Sequence, residues 1–222
     1  MKAIPRNILI KFLQLIKLEG GGRLSRIRFL FFCINYWGNT MTTTLEHLKS
    51  RYLNVELYSS VYVSEEEQSV FFPLWNLFGQ MVGYQQVKPF APKNDSDLEP
   101  KDKRYYTWVS KHESKHSQVT AFGLELLDTS KKVVFVCEGV FDACRLHNLG
   151  LNALALLSCD PKQLKDWLWS LGYKVVPVCE GDKAGKKMAK LSSHGQVEFL
   201  PEGVDLGDMS EKEVFDMFSK YF

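Results

Sequence analysis

Residues 133–150 read VVFVCEGVFDACRLHNLG, and this stretch decides the fold. Val133–Cys137 is a short run of β-branched and aromatic residues, the composition of a buried strand. It stops abruptly at Glu138-Gly139. The pattern then changes period, and Phe141–Leu149 reads as a helix stopped by Gly150. A glutamate at the end of a core strand is costly unless something pairs with it. The junction therefore raises a question about function as well as fold.

The same alternation continues downstream. Asn152–Leu157 is a second strand. Asp160-Pro161 opens the next helix, with Asp as N-cap and Pro at the first helical position. Leu164, Trp167, Leu168 and Leu171 fall on one face of that helix, and Gly172 ends it. Tyr173–Cys179 is a third strand, Lys183–Leu191 a third helix and Gln196–Leu200 a fourth strand. Ser210 and Glu213 form a capping box for a last helix, Glu211–Tyr221. Strands alternating with helices predict right-handed crossovers and a central, mostly parallel sheet flanked by helices, an α/β fold.

Upstream, the pattern differs. Thr42 to about Tyr52 reads as a short capped helix. Val70–Phe90, with apolar runs bracketing Asn76 and Gly79, reads as a hairpin. Ala91–Lys103 is a long polar loop. The expected organisation is an N-terminal extension over 1–40, a smaller α+β subdomain over 41–126 and the α/β domain over 127–222.

The chain of 222 residues is 45% hydrophobic and 13% aromatic, enough to bury a core. Its net charge of +2 is uneven. Residues 1–40 carry seven Lys/Arg against Glu19 alone, whereas 41–130 carry nine against twelve acids and 131–222 twelve against thirteen. Composition alone thus makes no case for nucleic acid. The five cysteines include no C-x-x-C pair, which argues for reduced thiols in a core, in an intracellular protein, and against a zinc site. The apolar run Phe29–Trp37 is far too short to cross a membrane. Lys11 and Lys17 interrupt the stretch that a signal peptide would need. Residues 1–40 are either native, with a basic interaction arm as one role, or an extension upstream of a start at Met41.

Ligands of a parallel sheet bind beyond the carboxyl ends of its strands. Glu138 follows the first strand there, and Glu180-Gly181-Asp182 follows the third. PEGVDLGDM (201–209) adds Asp205 and Asp208 after the fourth. Any one such cluster also suits an ordinary helix-capping loop. Three at successive strand ends would repel one another unless a cation neutralised them. Hard carboxylate oxygens at an open site suit Mg²⁺ or Mn²⁺.

VCEGVFDA (136–143) followed by VCEGDKAGKKMA (178–189) resembles the Toprim domain shared by DnaG-type primases, topoisomerases and related nucleases. Glu138 matches the family's glutamate, and Glu180-Gly181-Asp182 its D-x-D, with Glu in place of the first Asp. FFPLWNLFGQMVGYQQ (71–86) is similar to a primase segment of the form iPi-n-x-G-x-v-v-G-f. RYYTW (104–108) and TAFGLELL (120–127) are similar to the elements that follow it. The family has an arginine after the G-f turn where this chain has Val87, with Lys88 beside it. An ammonium does not reproduce the bidentate phosphate fork of a guanidinium.

The resemblance implies a DNA primase core of phage or mobile-element type, making short RNA primers on a single-stranded DNA template from ribonucleoside triphosphates. Glu138 would be a general base or metal ligand, Glu180 and Asp182 would bind Mg²⁺ or Mn²⁺, and Asp205 would lie in the same cluster. Lys88, Lys103, Arg104, Lys111 and Lys115 would contact template or nucleotide, and Lys183 and Lys186 phosphates. The sequence holds no cysteine-rich zinc module and no G-x-x-x-x-G-K-[ST] loop, so template recognition and unwinding would fall to a separate zinc-binding protein and a replicative helicase, or be dispensed with. The implied location is the cytoplasm, the host's for a phage protein. The rival readings are a Toprim nuclease and a non-catalytic, DNA-binding or helicase-regulating protein.

Overall fold

Two four-stranded sheets, one antiparallel and one parallel, meet across a shared core. The computed structural model describes residues 43–93, 95–111, 119–157 and 164–222, all within one compact unit. The expectations for residues 1–40, for Lys115 and for a helix start at Asp160-Pro161 lie outside the described residues.

The first half opens with helix α1 (Thr44–Ser50). Thr43 caps it, accepting from the Glu46 amide while the Glu46 carboxylate accepts from the Thr43 amide. This is the reciprocal box that stops the first turn from fraying. Strands β1 (Tyr62–Ser64), β2 (Ser69–Trp75), β3 (Met81–Val87) and β4 (Tyr105–Val109) follow as an antiparallel sheet in chain order. The β2–β3 hairpin turns at Asn76, whose Oδ1 accepts from the Phe78 and Gln80 amides, each at 3.0 Å. The expected hairpin is therefore present.

The second half is the expected α/β unit. Strand β5 (Val133–Cys137) runs into helix α2 (Val140–Asn148), then β6 (Ala153–Ala155), α3 (Lys165–Ser170), β7 (Lys174–Cys179), α4 (Lys183–Met188), β8 (Glu198–Phe199) and α5 (Glu211–Phe218). The sheet order is β6-β5-β7-β8, with every pair parallel. Strands β6 and β8 are shorter than their apolar runs suggested. Leu157 adopts φ 58°, which takes the chain out of the β6 direction.

Alternation along β5 divides the core. Phe135 and Cys137 face a cluster shared with Leu48, Phe72, Val87 and α2, and Val134 and Val136 face Leu168, Met188 and Leu191 on the far side. A parallel sheet covered on both faces carries this continuous apolar pattern. Helix α2 is buried between the two sheets, so the first half of the chain packs directly over the end of β5.

Candidate active site

The carboxyl ends of β5 and β7 point the same way, and the turns after them form a small recess. Glu138, Asp142 and Glu180 line it, with Gly185, Met188 and Leu206 among its apolar walls. Its volume is about 20 Å³, room for one water molecule or one bare cation and not for a nucleotide.

Each acid reaches this place for a local reason. Glu138 ends β5 and stays exposed. Asp142 stands one turn into α2, where its Oδ2 accepts from the Gly139 amide at 3.1 Å. Its Oδ1 accepts from the Gly207 amide, also at 3.1 Å. Part of Asp142 is reachable from solvent while protein surrounds the rest. That burial pushes its carboxyl well above the usual carboxylate range, helped by a hydrogen bond with Asp205 and by that residue's charge. Glu180 follows β7. Its pKa is raised by burial first, then by repulsion from Asp205, Glu138 and Asp182. Acids from three separate turns therefore act on one carboxyl group.

Asp182 and Asp205 sit at the margin of the recess. Asp182 is the N-cap of α4, its Oδ1 accepting from the Gly185 amide at 2.7 Å. Asp205 Oδ1 accepts from the Gly207 amide at 2.8 Å, and its Oδ2 lies 3.8 Å from the Arg51 guanidinium. Among the described residues, no three His, Cys, Asp or Glu side chains stand close enough to make a finished metal-ligand set. The arrangement is a set of oxygen donors around a recess, their repulsion offset in part by Arg51 beside Asp205 and by Lys93 acting on Glu180.

The basic residues divide. Lys183 and Lys186 are exposed at the start of α4, beside the recess. Lys88 is paired with Asp102 at 2.9 Å, and Arg104 Nε donates to the Ala91 carbonyl at 2.9 Å. Lys103 is half-buried and Lys111 exposed. Alternation along β4 splits the aromatics as well. Trp108 stacks on Tyr84 and Tyr106 meets it edge-on, with centroids 5.8 and 6.3 Å apart. Tyr105 faces the other way. Its hydroxyl feels the charges of Arg51, Arg104, Asp205 and Asp142, which puts it beside the acidic turns.

Sequence reasoning did not assign Asp142 or Arg51 to the site. Asp142 had a signal, an acid one helical turn past Glu138 on a helix that begins at a glycine. Arg51 had none, because it lies in α1's C-cap and arrives only through the packing of the two halves.

The antiparallel sheet followed by the parallel α/β unit is the fold of solved DnaG-type primase catalytic cores. Among solved structures, this chain is similar to the Escherichia coli primase catalytic core (18% identity, TM-score 0.56, covering 80% of this chain and 71% of that one). A second is the zinc-binding and RNA polymerase domains of the Aquifex aeolicus primase (19%, 0.55, 80% and 55%). A third is the primase fragment of the bacteriophage T7 primase–helicase protein (15%, 0.50, 72% and 65%). The chain thus spans a little over half to under three quarters of these structures. No family model and no curated protein matches it by sequence. Among the described residues, no helix is long and apolar enough to cross a membrane.

Proposed function

We propose that the chain is a polymerising core that makes short RNA primers on single-stranded DNA. The observation that carries this reading is the convergence on Glu180 of charge from Asp205, Glu138 and Asp182, within a primase-core fold. The donor set is all hard oxygen, its net effect on Glu180 is repulsive, and the recess has room for one ion; these features fit Mg²⁺ or Mn²⁺. Glu138, Asp142 and Glu180 would hold the ion, with Asp182 and Asp205 adding charge from the margin. A bound divalent ion neutralises phosphate charge and lowers the pKa of an attacking 3′-hydroxyl.

The chain's own groups do the remaining work by positioning, which dominates phosphoryl transfer. Exposed Lys183 and Lys186 would hold the triphosphate where it meets the acidic recess. Arg104, Lys103 and Lys111 lie along β4 and its approach, on the path a template strand would take. Exposed Tyr105 offers a ring on which a base can stack. Lys88 is a weaker contributor, since Asp102 already occupies its ammonium group. Unwinding and template selection would involve a replicative helicase and a zinc-binding module, in the host cytoplasm if the gene is a phage's.

Incubation with single-stranded DNA, labelled ribonucleotides and Mg²⁺ or Mn²⁺ tests the reading. Short oligoribonucleotides are expected, abolished by Glu138→Gln and strongly reduced by Glu180→Gln. Cleavage of the DNA without synthesis would move the protein to the Toprim nucleases. Biological activity that survives both substitutions would leave a DNA-binding role alone.

A further inference from the structure

Arg51 belongs to the first half of the chain, yet its guanidinium ends among the acids of the second. Nη1 lies 2.6 Å from Asp208 Oδ1, and Nη2 lies 3.8 Å from Asp205 Oδ2. The guanidinium carbon sits 5.0 Å from the centre of the Phe141 ring, on the helix that carries Asp142. Residue 207 is the glycine between those two acids, and a Cβ there would stand 2.5 Å from Arg51 Nη2. The turn therefore leaves a slot for the guanidinium.

The ion pairs themselves are a weak source of stability. Asp208's side chain is 62% exposed, and an ion pair with so wet an aspartate adds little to folding. Arg51 Nε is buried and, among the described residues, has no hydrogen-bond partner, which costs something. What the arrangement does is align donors. With Asp205 and Asp208 turned toward the guanidinium, the Gly207 amide is presented to both Asp205 and Asp142. Asp142 is thereby held between two amides, Gly139 on its own helix and Gly207 on the facing turn.

We propose that Arg51 is a positioning residue that clamps the Asp205–Asp208 turn and, through the Gly207 amide, fixes Asp142 at the cation recess. The inference rests on the reading of that recess as a divalent-cation site. Arg51 also makes the recess depend on docking of α1, because the second half alone lacks the cation that orients its last acidic turn. Groups that orient metal ligands typically govern affinity by about 10- to 100-fold.

The test is Mn²⁺ binding to the full chain, measured by electron paramagnetic resonance without nucleotide or DNA. Arg51→Lys, Arg51→Gln and Asp208→Asn are each expected to weaken Mn²⁺ binding by about 10-fold or more while thermal unfolding stays cooperative. The double variant Arg51→Gln/Asp208→Asn is expected to lose no more than either single, since both break one chain of contacts. If Arg51→Gln does not fold, Arg51→Lys and Asp208→Asn carry the comparison. Unchanged or tighter Mn²⁺ binding in the folded variants overturns the clamp. A wild-type protein that binds no Mn²⁺ overturns the cation reading itself, and the clamp with it.

Discussion

Gly185 is pressed against Glu180: a Cβ on residue 185 would stand 2.0 Å from the Glu180 carbonyl oxygen and 2.9 Å from its carbonyl carbon. The first turn of α4 can close over the end of β7 only because residue 185 has no side chain. That close approach places the Asp182 cap and the Glu180 carboxylate in one turn.

Gly185→Ala should therefore act on structure and site together. A methyl group against rigid backbone forces α4 outward, at about 1–3 kcal/mol. Urea unfolding checks the stability loss, and Mn²⁺ titration should show weakened binding in the folded fraction. A variant with unaltered stability would mean that α4 does not sit as tightly as described.

Asp182 has two roles that substitution can separate. As N-cap it accepts from the Gly185 amide at 2.7 Å, and as an anion it adds to the charge acting on Glu180. Asp182→Asn keeps a capping oxygen, so stability should change little while divalent-ion affinity and primer synthesis fall. Asp182→Ala removes both roles and should cost about 1 kcal/mol of stability in addition. Paired denaturation and activity measurements distinguish the two contributions.

His147 supplies a pH dependence away from the site. It is 8% exposed, its Nδ1 accepts from the Tyr58 hydroxyl at 2.8 Å and its Nε2 donates to the Ala153 carbonyl at 2.9 Å. Burial lowers its pKa to about 4. The unfolded chain, near the ordinary value of about 6.5, takes up a proton first. The stability it contributes is complete above pH 6.5 and is lost as pH falls toward 4, by up to about 3 kcal/mol. Urea midpoints at pH 7 and pH 4.5 should show that loss in the wild type and a smaller one in His147→Gln.

The acidic recess predicts a metal effect with a definite sign. Glu180 and Asp142 have raised pKa values in the folded protein, so their ionisation penalises folding as pH rises through those values. A cation that relieves the repulsion should stabilise most where the acids are ionised. At 100 times its dissociation constant Mn²⁺ would add about 2.7 kcal/mol. Thermal scans with Mn²⁺ and with a chelator should differ more at pH 8 than at pH 5. Glu138→Gln should shrink the difference at pH 8.

Much of the fold was legible along the chain because its determinants are local. Val133–Cys137 reads as a strand from its β-branched and aromatic residues, and the box at Ser210–Glu213 spans one helical turn. The acids at strand ends were legible for the same reason, since a strand's direction sets where its end lies. Tertiary structure alone decided the strand order β6-β5-β7-β8, because parallel pairing joins segments far apart in sequence. It also decided which acids line the recess and which stand beside it. Arg51 and Asp208, 157 positions apart, meet through the burial of α1 and α2 in one core, and no local pattern records a contact made by packing.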